Sequence, residues 1–188
     1  MLEDIYLEYM LKKKKDGKQK AIIAVVVLGG IILSCGLFIA TFIAAKMLAG
    51  TQLGSFAFSI GLVLIALLWY GAYLLISMQN LEYEYILTNS EMDIDKIMSK
   101  KGRKHIVSFD FRTVDVCANI NDNDHNHEYK NRTPEKVYNV VGDKENENIY
   151  FVDFDDEGAL SRVIFQPTYK MMKSIRKFNP RNIFVMEE

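Results

Sequence analysis

Two long apolar stretches, followed by a more polar segment, dominate the hydropathy pattern of the chain. Residues 21–45 carry no charge, Lys46 follows, and the next charged residue is Glu82. Each stretch exceeds the roughly 20 apolar residues that a helix needs to cross the hydrocarbon core of a bilayer. The pattern therefore predicts a membrane hairpin over residues 21–81, with helices at about 21–45 and 54–78.

The lysines before the first apolar stretch predict its orientation. Six lysines occur within residues 1–20, whereas Lys46 is the only charged residue between 21 and 81. Cytoplasmic segments of membrane proteins carry an excess of Lys and Arg, and two spans return the chain to its starting side. We therefore expect a multi-pass cell-membrane protein with both termini, and the segment 82–188, in the cytoplasm. A cleaved signal peptide is not expected, because its apolar region has only about 7–15 residues.

From Glu82 onward, apolar and polar residues alternate, which is typical of β-strands. Tyr83 and Tyr85, for example, alternate with acidic residues. Pro167 is placed to start a helix, and the pair Asn179-Pro180 ends it. Between these limits the apolar residues recur at helical spacing. The seven predicted strand segments are 83–87, 92–98, 107–111, 114–118, 137–141, 149–154 and 160–165, and the helix presents Met171, Met172, Ile175 and Phe178.

This order of elements is the plan of a pleckstrin-homology (PH) type barrel. The run 83–94 resembles the opening hairpin of bacterial PH-like membrane proteins, and Phe165-Gln166-Pro167 resembles their strand-to-helix junction. Over its whole length the chain resembles an uncharacterised family of two-span bacterial membrane proteins with a C-terminal PH-like domain. The resemblance implies a membrane α-helical hairpin plus an α+β soluble domain, a seven-stranded antiparallel PH-like barrel capped by a C-terminal helix. It implies no catalytic residues.

The N-terminal segment, residues 1–20, reads as an amphipathic, lysine-rich tail. Its apolar residues Leu2, Ile5, Tyr6, Tyr9 and Met10 have the spacing of one helix face. A basic helix of this kind can lie on an anionic leaflet, or its lysines can simply set the topology while the helix packs on the soluble domain. The candidate membrane-surface contacts are Lys12, Lys13, Lys14 and Lys15 here, with Lys100, Lys101, Arg103 and Lys104 in a later turn.

Small residues recur every four positions, at Gly36, Ala40 and Ala44 in the first span and at Ala57 and Gly61 in the second. Such spacing lets helix backbones approach closely. It predicts either packing of the two spans against each other or a homodimer through these residues. Neither span contains an acid, a histidine or an arginine, so a transport pathway is not expected.

The long polar loop 119–136 contains a group of residues of metal-ligating types, among them Asp122, Asp124, His125 and His127. A calcium EF-hand that starts at Asp122 is excluded, because His127 stands where the loop requires glycine and Thr133 where it requires glutamate. A transition metal on the two histidines lacks further His or Cys ligands nearby. We therefore expect a hydrated, mobile loop, with the four residues as weak metal candidates.

Charge and motif content narrow the function of the soluble segment. Residues 82–188 hold 16 basic and 20 acidic residues, opposite in sign to the basic footprint of nucleic-acid-binding domains. Cys35 and Cys117, the only cysteines, lie in a span and a predicted strand, so no disulfide is expected. The sequence holds no phosphate-binding glycine loop, nucleophile elbow or His-Glu-x-x-His motif. We expect neither enzymatic activity nor a cofactor.

Three functions are compatible with these features. The first is a membrane-anchored, non-catalytic module that binds a protein or peptide partner at the cytoplasmic face, for instance by strand addition. The second is sensing of anionic lipid through the basic residues named above. The third is metal binding by the loop 119–136.

Overall fold

The structure is a computed structural model that describes residues 4–99 and 102–186. It forms two compact units. One unit is Lys15–Asn80. The other combines the segment that ends at Lys14 with the chain from Leu81 onward, so it is assembled from two separate parts of the sequence.

The unit Lys15–Asn80 consists of two long helices, α1 (Gly17–Met47) and α2 (Gln52–Ser77). By length and composition, both are apolar enough to cross a membrane, α1 over its whole length and α2 over Phe56–Ser77. Helix α1 begins before the apolar stretch because Asp16 is its N-cap, with the Asp16 N–H donating to Gln19 Oε1 at 3.2 Å.

The two helices approach each other at Gly61, one of the glycines that the spacing of small residues indicated, and at Gly30, but not at Gly36. A Cβ on Gly61 would overlap the side chain of Thr41, and one on Gly30 would lie 3.7 Å from the Trp69 ring. At Gly36 a Cβ would meet no described atom within 4 Å. Gly36 therefore does not mediate packing of α1 on α2, and the homodimer through Gly36, Ala40 and Ala44 stays a prediction.

The second unit begins with a four-stranded antiparallel sheet, sheet A, in the order β1-β2-β3-β4. The helix predicted for the N-terminal segment is wrong, because Tyr6–Lys12 forms the edge strand and pairs with β2, Tyr9 opposite Tyr85. Alternate residues of this strand, Leu7, Tyr9 and Leu11, pack on the core. The strands of sheet A are β1 (Tyr6–Lys12), β2 (Leu81–Thr88), β3 (Glu91–Met98) and β4 (Gly102–Asp110).

The order of elements makes the helical hairpin an insertion between two paired strands. Residues 13–16 join β1 to α1, and residues 78–80 join α2 to β2. The pairing continues just beyond β1, where Lys13 N donates to the carbonyl oxygen of Leu81 at 2.9 Å. The hairpin therefore occupies the connection between the first two strands of the barrel, and the soluble unit includes residues that were predicted to belong to a separate tail.

Sheet B has four strands in the order β5-β7-β8-β6. Each of the seven predicted strand segments corresponds to a strand of sheet A or B, and β1 is the eighth. The prediction of a fully antiparallel barrel is wrong at one place, because β6 pairs with β8 in parallel. The long connection after β5 allows this crossover. The strands of sheet B are β5 (Val116–Asn119), β6 (Lys136–Asn139), β7 (Tyr150–Asp156) and β8 (Ala159–Phe165).

Helix α4 (Tyr169–Arg176) covers one face of the core. Thr168 is its N-cap and accepts a hydrogen bond from Met171 N at 3.3 Å, so Pro167 lies one residue before the cap rather than in the first helical position. The helix buries Met171, Met172 and Ile175. These side chains join a core that includes Tyr85, Leu87, Phe111, Val152 and Phe165.

The predicted mobile loop contains a short helix, α3 (Asn126–Asn131), which is held on the outer side of sheet B. The Arg162 side chain, from β8, donates to the Tyr129 carbonyl oxygen at 2.6 Å and lies over the Tyr129 and Phe151 rings. It also forms a two-point ion pair with Asp153, which is 0% exposed. This buried pair fixes α3 to the sheet.

Gly142 is a point of close approach between sheet A and the loop after β6. A Cβ there would lie 2.6 Å from Leu11 Cγ and 2.8 Å from the Lys12 carbonyl oxygen. We predict that Gly142→Ala lowers the free energy of unfolding by about 1–3 kcal/mol, because β1 must move away. Urea unfolding of the full chain in detergent measures this. Gly102→Ala, whose Cβ would meet Met98 Cε at 3.9 Å, is the control, and equal midpoints for the two variants would contradict the prediction.

The buried ion pair gives a second prediction. Arg162→Met should destabilise the barrel by about 3–5 kcal/mol, because Asp153 would remain buried without its partner. The double variant Asp153→Leu/Arg162→Met removes both charges and should regain most of that loss. Chemical unfolding of both variants is the measurement, and a double variant no more stable than the single one is the contrary outcome.

Candidate functional site

A β-bulge in β4 gathers polar side chains on the outer face of sheet A. Ile94 pairs with Val107 but Asp95 pairs with His105, so Ile106 is an extra residue in β4. A bulge re-aims the side chains around it. Here His105 and Ser108, three residues apart, contact each other.

The hydrogen bonds in this region connect β3 and β4. His105 Nδ1 lies 3.0 Å from Asp95 Oδ1, and His105 Nε2 lies 3.2 Å from Ser108 Oγ. The Ser108 hydroxyl also donates to Asp93 Oδ1 in a short contact. We call the set Glu84, Asp93, Asp95, Arg103, His105 and Ser108 the polar network.

Glu84, from β2, is the buried member of the polar network, with a side chain only 2% exposed. Arg103 Nη2 contacts Glu84 Oε2 at 2.6 Å, although the angles do not make this a hydrogen bond. Burial raises the pKa of the Glu84 carboxyl, and the Arg103 charge opposes this shift without cancelling it. Hydrogen bonding to Glu8 and the charges of Glu8 and Asp95 raise the pKa further.

The side-chain contacts from Ser108 to His105 and from His105 to Asp95 connect the three groups as a nucleophile, a base and an orienting acid are connected. The hydroxyl of Ser108 has one proton, however, and Asp93 competes with His105 for it. His105 is also more than half exposed, so water reaches the pair. The arrangement therefore suits a proton-sharing network that ties β3 to β4 better than it suits activation of a serine. No sequence motif marks these residues, because the bulge alone brings them together.

Two of the candidate membrane-surface residues are engaged in ion pairs within the barrel. Lys14 Nζ contacts Asp143 at 3.2 Å and Glu145 at 2.8 Å, which raises the Lys14 pKa. Arg103 pairs with Glu84, as described. Lys12 and Lys104 are exposed on sheet A. The backbone N–H of Lys13 donates to Leu81, and Lys15 is half-buried. Lys100 and Lys101 lie outside the described residues.

The metal candidates do not form one cluster. His125 Nδ1 lies 2.8 Å from Asp122 Oδ2, and its ring stacks on Phe184 with centroids 3.6 Å apart. Burial raises the Asp122 pKa, but bonds from His125 and the Asp124 N–H outweigh it and leave the pKa lowered. His127 is exposed, and its nearest carboxylate is Glu128 at 4.0 Å. In the described part of the chain, no three His, Cys, Asp or Glu side chains are placed to hold a metal ion.

The two edges of sheet B differ. At β5, Cys117 N donates to the Asn182 carbonyl oxygen and Phe184 N donates to the Cys117 carbonyl oxygen, both at 2.8 Å. The C-terminal segment therefore covers that edge, with Ile183 fully buried. On the other side, β6 pairs with β8 but with no second strand among the described residues. Its Val137 side chain is 54% exposed.

The burial of Glu84 predicts a pH effect on stability. Because its pKa is raised above the ordinary 4.5, its contribution to stability is complete below about pH 4.5 and is lost as the pH rises through the folded-state pKa. We therefore expect Glu84→Gln to raise the thermal midpoint relative to wild type, by an amount that grows between about pH 4 and pH 7. Glu91→Gln, an exposed acid of β3, is the control, and a pH-independent difference for Glu84→Gln would refute the expectation.

Comparison with known proteins agrees with this architecture. The model of one family, described as bacterial PH-like domain (DUF6106), matches residues 3–185, which include β1, both long helices and the C-terminal segment. No curated protein and no solved structure matches the chain significantly. The match confirms the resemblance predicted from the sequence, and the chain belongs to this DUF6106 family of bacterial PH-like domains.

Proposed function

We propose that this protein is a membrane-anchored, non-catalytic PH-like module that binds a protein or peptide partner at the cytoplasmic face. The partner adds as an extended strand along β6. The observation that carries the proposal is the edge of sheet B at Lys136–Asn139, which pairs with no further strand among the described residues. The opposite edge of the same sheet is covered by the C-terminal segment.

The backbone of β6 supports strand addition. Val140 N donates to the Ile164 carbonyl oxygen of β8 at 2.9 Å. The two-residue period of a strand then turns the N–H groups of Val137 and Asn139 away from β8. Unpaired backbone groups at an edge are a template for another chain, and side chains such as Val137 add specificity.

The two long helices support the anchoring part of the proposal. They leave the barrel from neighbouring paired strands through links of only four and three residues, 13–16 and 78–80. A soluble unit joined twice to a membrane hairpin stays at the bilayer surface, where it would meet partners of the same membrane at raised effective concentration. The lysine excess before α1 supports the cytoplasmic side.

The polar network and the Asp122–His125 pair are the observations that favour the rival functions. If Ser108 were a catalytic nucleophile, a fluorophosphonate probe would label it in wild type and not in Ser108→Ala. If the loop held a metal, stoichiometric metal would copurify and be lost from His125→Ala/His127→Ala. Either result would displace the binding module as the proposed function.

Strand addition is tested with peptides selected from a displayed random library on the full chain in nanodiscs. Val137→Pro removes one outward N–H, so we expect the selected peptides to bind this variant at least about tenfold more weakly. Val137→Thr keeps the N–H and should bind as wild type. Circular dichroism establishes that both variants are folded. Undiminished binding of the peptides to Val137→Pro would rule out the β6 edge.

A further inference from the structure

The solvent side of α4 is uniformly cationic. Its apolar residues Met171, Met172 and Ile175 are buried on the opposite side. No acidic residue occurs between Glu157 and Glu187, whereas residues 82–168 hold 18 acidic and 11 basic residues. We call five exposed cations on and directly after the helix the cationic face: Lys170, Lys173, Arg176, Lys177 and Arg181.

The cations of this face differ from two of those predicted to touch the membrane. Lys14 and Arg103 are held by carboxylates of the barrel. Within residues 4–99 and 102–186, none of the five cations forms an ion pair. They are therefore available to an anionic surface without first breaking an internal contact.

Contacts inside the barrel place the start of α4 near the point where the chain leaves the unit. The Asp143 N–H donates to Gln166 Oε1 at 3.2 Å, and Asp143 also pairs with Lys14. Lys14 is the last residue of the unit before the chain continues into α1. Tyr169 and Met186 line a cavity of about 270 Å³ beside the helix start, and both side chains are exposed.

We propose that the cationic face of α4 binds the anionic lipid surface of the bilayer that holds α1 and α2. The charge of the face requires an anionic occupant, and the double link to the membrane hairpin makes the bilayer the anionic surface that is always within reach. Tyr169 suits the headgroup level, where amphipathic rings are favoured. This proposal depends on the hairpin spanning a membrane and not on the peptide edge at β6, which is a different surface.

The strength of the contact between the cationic face and an anionic leaflet depends on the number of cations. Each Lys or Arg near an anionic leaflet strengthens association by about fivefold, and the effect falls within one Debye length. Two cations removed from the face should therefore weaken its contact by roughly 25-fold. The same loss elsewhere on the barrel should leave the contact unchanged.

Lysine modification in the full chain tests the contact directly. The protein is placed in nanodiscs of phosphatidylcholine alone or with about 30% phosphatidylglycerol, and the acetylation rate of each lysine is measured by mass spectrometry. Lys170, Lys173 and Lys177 report on the cationic face. The exposed lysines Lys130 and Lys136 are references in the same molecule.

We expect the three reporting lysines to be acetylated at least about fivefold more slowly in the anionic nanodiscs, with the reference lysines unchanged. Salt at about 0.5 M should remove the protection. Arg176→Gln/Arg181→Gln keeps the reporters but lowers the charge, so it should lose most of the protection. Arg112→Gln/Arg132→Gln, with the same change in charge and with both reference lysines intact, should keep it.

Three outcomes would overturn the proposal. Reporting lysines that react in both nanodiscs as fast as they do in detergent would mean that the face does not contact the bilayer. Equal protection in both would mean that anionic headgroups are not what it binds. Protection that appears in detergent without a bilayer, and rises with protein concentration, would assign the face to an acidic protein surface instead.

Discussion

The pairing of β1 with β2 is the constraint on which the rest of the structure depends. To complete sheet A, the N-terminal segment must pair with the chain that follows the hairpin, from Tyr6 opposite Thr88 to Lys12 opposite Glu82. Leu7, Tyr9 and Leu11 complete the core from this strand. Without this pairing, β2 would be an edge strand and one side of the aromatic core would be open to water.

The same constraint distributes charge over the molecule. Because β1 belongs to sheet A, Lys14 lies next to Asp143 and Glu145, and these carboxylates balance its positive charge. In the same way, the bulge in β4 draws Arg103 toward buried Glu84. These two cations look available in the linear sequence, but internal carboxylates hold both of them. The cations of α4 lie in a stretch of sequence without acids, and their charges stay exposed. Cations without an internal carboxylate partner are the ones that suit binding, whereas Lys14 and Arg103 have a structural role.

The local patterns predict α1, α2, α4 and most strands correctly, because apolar length and two-residue alternation are properties of adjacent residues. The N-terminal pattern favours a helix because Ile5 and Tyr9 fit both periods. Pairing with β2, whose partner residues lie 70 to 82 positions later, decides for a strand. The polar network could not be predicted, since one extra residue, Ile106, brings His105 and Ser108 together. Ordering of the loop 119–136 likewise depends on Arg162, a distant residue.

Inserting the hairpin between β1 and β2 also has a consequence for biosynthesis. Strand β1 leaves the ribosome first, but its partner follows only after the 68 residues from 13 to 80 have been made. At about 5–20 residues per second, β1 waits roughly 3–14 s without a partner. Both long helices, which are apolar enough to cross a membrane, are made during that time. Sheet A can therefore be completed only after the whole hairpin has been synthesised. Glu8 and Lys12, which alternate with apolar residues of β1, keep the waiting strand from pairing with other chains.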